Sequence, residues 1–202
     1  MSGTEQGIQQ RLAEFVGVDA SKAPTLRLLS PGEEMRKFVY SGDLEKLTVD
    51  AVKTFVEDFK ADKLKAHLKS EVEPTEQGPL TVLVGTSFNR VVMDTTKDVL
   101  VKFYAPWCGH CKSMAPAWEE LANEVADIPD LVIAKLDATA NEVAGLQIQG
   151  FPTIKFYPKD NKNGMAYEGD RDLKSFQNYL SEHSAAYRNG ATKSGGQAYD
   201  EL

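Results

Sequence analysis

The only two cysteines of this 202-residue chain stand three positions apart in the stretch FYAPWCGHCKSMAP, at Cys108 and Cys111, with Gly109 and His110 between them. Two thiols at that spacing can clamp a metal, close a small structural loop, or trade disulfide bonds. A zinc site needs about four ligands. A second cysteine pair is absent and His67, His110 and His183 are scattered, so no metal is expected. A purely structural bond here would close too short a loop to restrict the unfolded chain much. Redox exchange accounts for more of the surroundings. Cys108 falls where a strand is expected to give way to a helix, and the unpaired N–H groups and dipole at that junction stabilise a thiolate. Such a thiolate attacks at neutral pH and is also a good leaving group, so a bond made by Cys108 passes onward readily. Cys111, one turn deeper, can reach back to release a mixed disulfide. His110 adds to the stabilisation when protonated. Gly109 leaves the approach open, and Trp107 shields the nucleophile while offering a flat face to an unfolded chain.

The elements that must hold these residues are legible in the apolar pattern. DVLVKFYA and DLVIAKLDA, starting at 98 and 130, are nearly continuous apolar runs, as expected of central strands covered on both faces by helices. LTVLVG from 80 supplies another strand, SFNRVVMD from 87 a helix, and residues from about Cys108 to Ala126 the helix that carries the cysteine pair. Pro116, inside that helix, is expected to kink it. Ligands of open α/β sheets gather beyond the carboxyl ends of the strands, which is where Trp107 and Cys108 begin. A three-layer α/β/α sandwich follows.

A partial repeat organises the rest. KAPTLRLLS at 22–30 and GFPTIKFYP at 150–158 share Pro-Thr, an aliphatic residue, a base and two apolar residues. Each follows a stretch of helical pattern, in one case Ile8, Leu12, Phe15 and Val16, in the other Thr139–Gln147 with a Thr139/Glu142 capping box. Each precedes a short strand, KFVYSGD or MAYEGD, and an amphipathic helix. Those helices place Val49, Val52, Phe55, Val56 and Phe59, and Leu173, Phe176 and Leu180, at helical spacing. The expected organisation is a half-domain over 1–60, a charged linker over 61–77, a complete domain over 78–186 and a disordered tail over 187–202.

Composition narrows the partners. A net charge of −7 disfavours a surface for nucleic acid or anionic membrane, and no apolar run approaches the ~18 residues of a membrane span. The opening MSGTEQGIQQ lacks the basic and apolar blocks of a secretory signal.

FYAPWCGHCKSMAP resembles the active site of the thioredoxin superfamily, of the protein disulfide isomerases in particular. The resemblance covers about 78–186 as a catalytic domain with the thioredoxin fold and its mixed central sheet. It likens 8–60 to the second half of the non-catalytic domain that precedes it. It implies a nucleophile at Cys108, a resolving thiol at Cys111, and a cis peptide between Phe151 and Pro152 facing them, where backbone groups can pair with an extended substrate. It also implies that Arg171 swings toward the buried cysteine at the resolving step.

Two residues depart from the pattern. Lys102 stands where the family commonly has a buried carboxylate, while the partner lysine is kept as Lys135. Two ammonium groups do not share a buried site cheaply, so one is expected to reach outward or lose its proton. The terminal YDEL is similar to the retention signal of the endoplasmic reticulum lumen, with Tyr199 at the variable position. The implied activity is thiol–disulfide exchange on unfolded or misfolded proteins, with small thiols such as glutathione as electron partners and no cofactor. A peptide-binding chaperone module and a thioredoxin-like reductant are the rival readings.

Overall fold

The computed structural model describes residues 24–31 and 36–195, together with Gly7, Ala13 and Val18. It divides into two compact units, Met1–Lys69 and Ser70–Leu202. The helical pattern expected over Ile8–Val16 and the terminal YDEL lie outside the described residues.

In the first unit, β1 (Arg27–Ser30) pairs antiparallel with β2 (Arg36–Val39), bringing Leu28 opposite Phe38. The helix α1 (Val49–Lys60) is opened by Thr48, whose hydroxyl accepts the Ala51 N–H at 3.1 Å. Its apolar stripe meets β2 and its exit through edge-on aromatic pairs, Phe59 with Phe38 at 5.0 Å and Phe55 with Tyr40 at 5.5 Å.

The second unit is built on a five-stranded mixed sheet ordered β3–β5–β4–β6–β7, comprising β3 (Leu80–Leu83), β4 (Asp98–Tyr104), β5 (Leu131–Asp137), β6 (Thr153–Tyr157) and β7 (Met165–Ala166). β3 and β4 run parallel to β5, and β6 runs antiparallel to β4. Alternation along the strands sorts their side chains into two cores. Leu100 and Ile133 face α4 (Ala115–Glu124) and α5 (Leu173–His183), packing with Trp118, Leu121, Phe176 and Leu180. Val101, Phe103 and Leu136 face α2 (Gly85–Val92), packing with Phe88 and Val92. The fold is the thioredoxin fold, with helices on both faces of the sheet.

Four local expectations are corrected. The helix expected over Thr139–Gln147 does not form, and turns with an isolated bridge between Val143 and Leu146 replace it. The carboxylate of Asp137 takes both the Thr139 N–H (2.8 Å) and its hydroxyl (2.6 Å), which removes the cap, and Gly145 sits at φ +69°. The segment still closes the second core through Val143, Leu146 and Ile148.

The helix carrying the cysteines is broken rather than kinked, as α3 (Gly109–Ser113) and α4, with Met114 between them. Pro116 lies at the start of α4, where its missing N–H is tolerated.

The expected linker over 61–77 is divided between the units, because from Ser70 onward the chain belongs to the second unit. Buried Asn141 accepts the Glu71 and Gly85 N–H groups at 2.9 and 3.0 Å and donates to the Glu71 carboxylate at 2.7 Å.

Finally, of the tail expected to be disordered over 187–202, residues 187–195 belong to α6 (Ala185–Gly195), and 196–202 lie outside the described residues. The Ser184 hydroxyl accepts the Tyr187 N–H at 3.0 Å and donates to buried Asp98 at 2.6 Å, and Tyr187 packs on the first of the two cores. A capped first turn with an aromatic anchor offsets the polar composition beyond it.

Candidate active site

Cys108 lies just past the carboxyl end of β4, the strand flanked by β5 and β6. The chain leaves the sheet at Ala105 and turns through Pro106 and Trp107, and the Cys108 N–H donates to the Ala105 carbonyl at 3.0 Å. Cys108 is the N-cap of α3, with extended backbone (φ −74°, ψ 115°), and its Sγ accepts the Cys111 N–H at 3.2 Å. A sulfur that takes an N–H at a helix start is placed where negative charge is favoured. The two cysteines are joined in a disulfide with Cα atoms 5.3 Å apart. Both are buried, against Ala105 and beside Tyr104 and Phe151.

The surroundings divide into an exposed apolar face and a buried polar one. Trp107 is 71% exposed, an unusual display for an indole, and its ring stands edge-on to Phe151 at 5.8 Å. The Phe151–Pro152 peptide is cis. His110 is exposed on α3, and a Cβ built on Gly109 would meet nothing within 4 Å, so residue 109 borders open space. Arg171 is exposed just before Asp172, the N-cap of α5.

Lys102 and Lys135 are neighbours in register on β4 and β5, on the sheet face that α4 covers. Lys102 does not reach outward. It is 4% exposed, with Nζ 5.5 Å from the Trp118 ring centre and 6.0 Å from that of Tyr104. Burial, and next the Lys135 ammonium, lower its pKa to about 8, partly opposed by Glu119. Lys135 is only partly buried. A cleft of about 130 Å³ joins the two lysines, Glu119 and Cys111. Residue reading missed Glu119 and Tyr104 as members of this group. Tyr104 was available from strand alternation, two residues after Lys102 on the same face, and Glu119 adjoins Trp118 on α4. Among the described residues no cluster of His, Cys, Asp or Glu could hold a metal ion.

The sequence model of the thioredoxin family matches residues 79–182, more than half of the chain. The chain belongs to the thioredoxin family. The protein disulfide-isomerase of Gallus gallus is 43% identical to it over 174 residues, covering 85% of this chain and 33% of that protein. Protein disulfide-isomerase 1 of Caenorhabditis elegans is 39% identical over 194 residues, covering 95% of this chain and 38% of that protein. The chain therefore spans little more than a third of the length of these relatives. Among solved structures, the first thioredoxin domain of mouse protein disulfide-isomerase A4 is 34% identical, covering 53% of this chain and 77% of that one, with a TM-score of 0.46.

Proposed function

We propose that this chain catalyses thiol–disulfide exchange on unfolded or misfolded proteins, forming, reducing and rearranging their disulfide bonds. The observation that carries this reading is a cysteine pair at the carboxyl end of a central strand, with Cys108 Sγ accepting the N–H of Cys111 at 3.2 Å. Reduced Cys108 attacks a substrate disulfide and forms a mixed disulfide. A second substrate thiol then reclaims the bond, or Cys111 attacks Cys108 Sγ and the substrate leaves as a thiolate.

Trp107 and Phe151 form the apolar face that receives the substrate, and the backbone around Pro152 offers it hydrogen-bonding groups. His110 stabilises the thiolate when protonated, Gly109 keeps the approach open, and Arg171 supports the resolving step after a movement of its loop. Lys102 and Lys135 modulate proton transfer at the same step. Glutathione supplies or accepts electrons, and the terminal YDEL sequence supports residence in the endoplasmic reticulum lumen. The similarity to proteins named disulfide-isomerases supports the same reading.

Reactivation of scrambled ribonuclease tests it. The native chain restores activity, Cys108→Ala does not, and Cys111→Ala accumulates a mixed disulfide with the substrate. A native chain that leaves the scrambled enzyme inactive removes the proposal.

A further inference from the structure

A buried amine lies beside the cysteine pair. Lys102 interrupts the apolar run of β4, stands 5.5 and 6.0 Å from the ring centres of Trp118 and Tyr104, and shares a cleft with Cys111. A buried amine costs free energy unless a carboxylate pairs with it closely. No ion pair involving Lys102 occurs among the described residues. Cys111, whose sulfur must become a nucleophile for the substrate to be released, lines the same cleft.

We propose that Lys102 is the proton acceptor for Cys111 when the mixed disulfide on Cys108 is resolved. This rests on the exchange reading above. The neutral amine takes the Cys111 proton across the cleft, whose volume of about 130 Å³ is ample for a relaying water. The Cys111 sulfur attacks Cys108 Sγ, the Sγ–Sγ bond forms, and the bond from Cys108 to the substrate sulfur breaks. The substrate sulfur leaves with the electron pair as a thiolate. The two protein thiols are thereby oxidised by two electrons and the substrate disulfide is reduced. Lys102 returns its proton to solvent through the open side of the cleft.

The charged groups around Lys102 set when it is neutral. Lys135 on β5 disfavours its ammonium form, whereas Glu119 on α4 favours it. Lys112 on α3 and the Tyr104 phenol on β4 line the same cleft. Ile154, its partner on β6, carries no charge. With the pKa lowered to about 8, roughly a tenth of Lys102 is neutral at pH 7, and that fraction grows as the pH rises.

The test follows the reduced protein mixed with oxidised glutathione, quenched in acid, and counts the glutathione adduct by intact mass. Adduct formation reports attack by Cys108, and adduct decay reports resolution by Cys111. In the native protein the decay rate rises with pH, is half-maximal near pH 8 and levels above about pH 9. Lys102→Met slows decay about tenfold or more at pH 7. Lys102→Arg also slows it, because a guanidinium keeps the charge but accepts no proton. Glu119→Gln, an exposed substitution, shifts the rise to lower pH by a few tenths of a unit, and decides the matter even where the Lys102 variants fold poorly. Native decay in Lys102→Arg, or an unshifted profile in Glu119→Gln, overturns the assignment. A native protein that forms no adduct overturns the exchange reading instead.

Discussion

Replacing Lys102 with methionine isolates what it takes to hold an amine inside the sheet. Methionine matches the length of most of the side chain and has rotatable bonds enough to fill the same space. The pKa of Lys102 falls from 10.5 to about 8, first through burial and then through the Lys135 ammonium. At 1.36 kcal/mol per unit, this corresponds to about 3 kcal/mol at neutral pH. The faces of Trp118 and Tyr104 return about 1 kcal/mol by attracting the cation. Lys102→Met is therefore expected to stabilise the oxidised protein by about 2 kcal/mol at pH 7.

The dependence on pH has a definite sign. Between about 8 and 10.5 the unfolded chain holds a proton on Lys102 that the folded protein has released, so native stability rises with pH across that window. Methionine has no proton to lose, and the difference between the two proteins shrinks over the same range. Urea unfolding followed by tryptophan fluorescence at pH 7, 8, 9 and 10 measures both quantities. A variant less stable than the native protein at pH 7, or a difference constant across the series, contradicts a buried amine held at a cost.

Three other outcomes follow from the geometry. Ser184→Ala removes the hydroxyl that bonds Asp98 at 2.6 Å and caps α6; it is expected to destabilise the protein by about 1–3 kcal/mol and to speed amide exchange in α6 before the rest of the unit. Trp107→Ala opens the exposed apolar face beside Phe151; it is expected to slow capture of an unfolded protein several-fold more than capture of oxidised glutathione, as paired reactions on one preparation would record. The double variant Cys108→Ala with Cys111→Ala is expected to keep part of the ability to suppress aggregation of a reduced, unfolded protein. Complete loss would tie substrate binding to the covalent step.

The parts of the fold that could be read from residues are those whose burial is uniform. The apolar runs of β4 and β5 match strands covered on both faces, and the cysteine pair falls at the strand end where those runs place it. Lys102 is visible as a charge within such a run, and its departure from the family pattern is legible in the sequence itself. That it would stay inside was decided by the aromatic faces of Trp118 and Tyr104, which no spacing rule brings together.

The misread segments share a different cause. At Thr139 a carboxylate two residues upstream competes for the same N–H that a helix cap needs. At 187–195 a polar sequence is ordered by a remote partner, Asp98, 86 positions from Ser184. Competition between local partners and contacts distant along the chain both escape a pattern of periods and caps.

The most direct measurement of whether Cys108 is held as a reactive anion is its capture by iodoacetamide in the reduced chain carrying Cys111→Ala. At pH 6 the folded protein is expected to react about tenfold faster than the same chain unfolded in urea, because only the folded environment favours the thiolate. Equal rates in the two states, or a slower folded protein, would contradict a nucleophile at the start of α3.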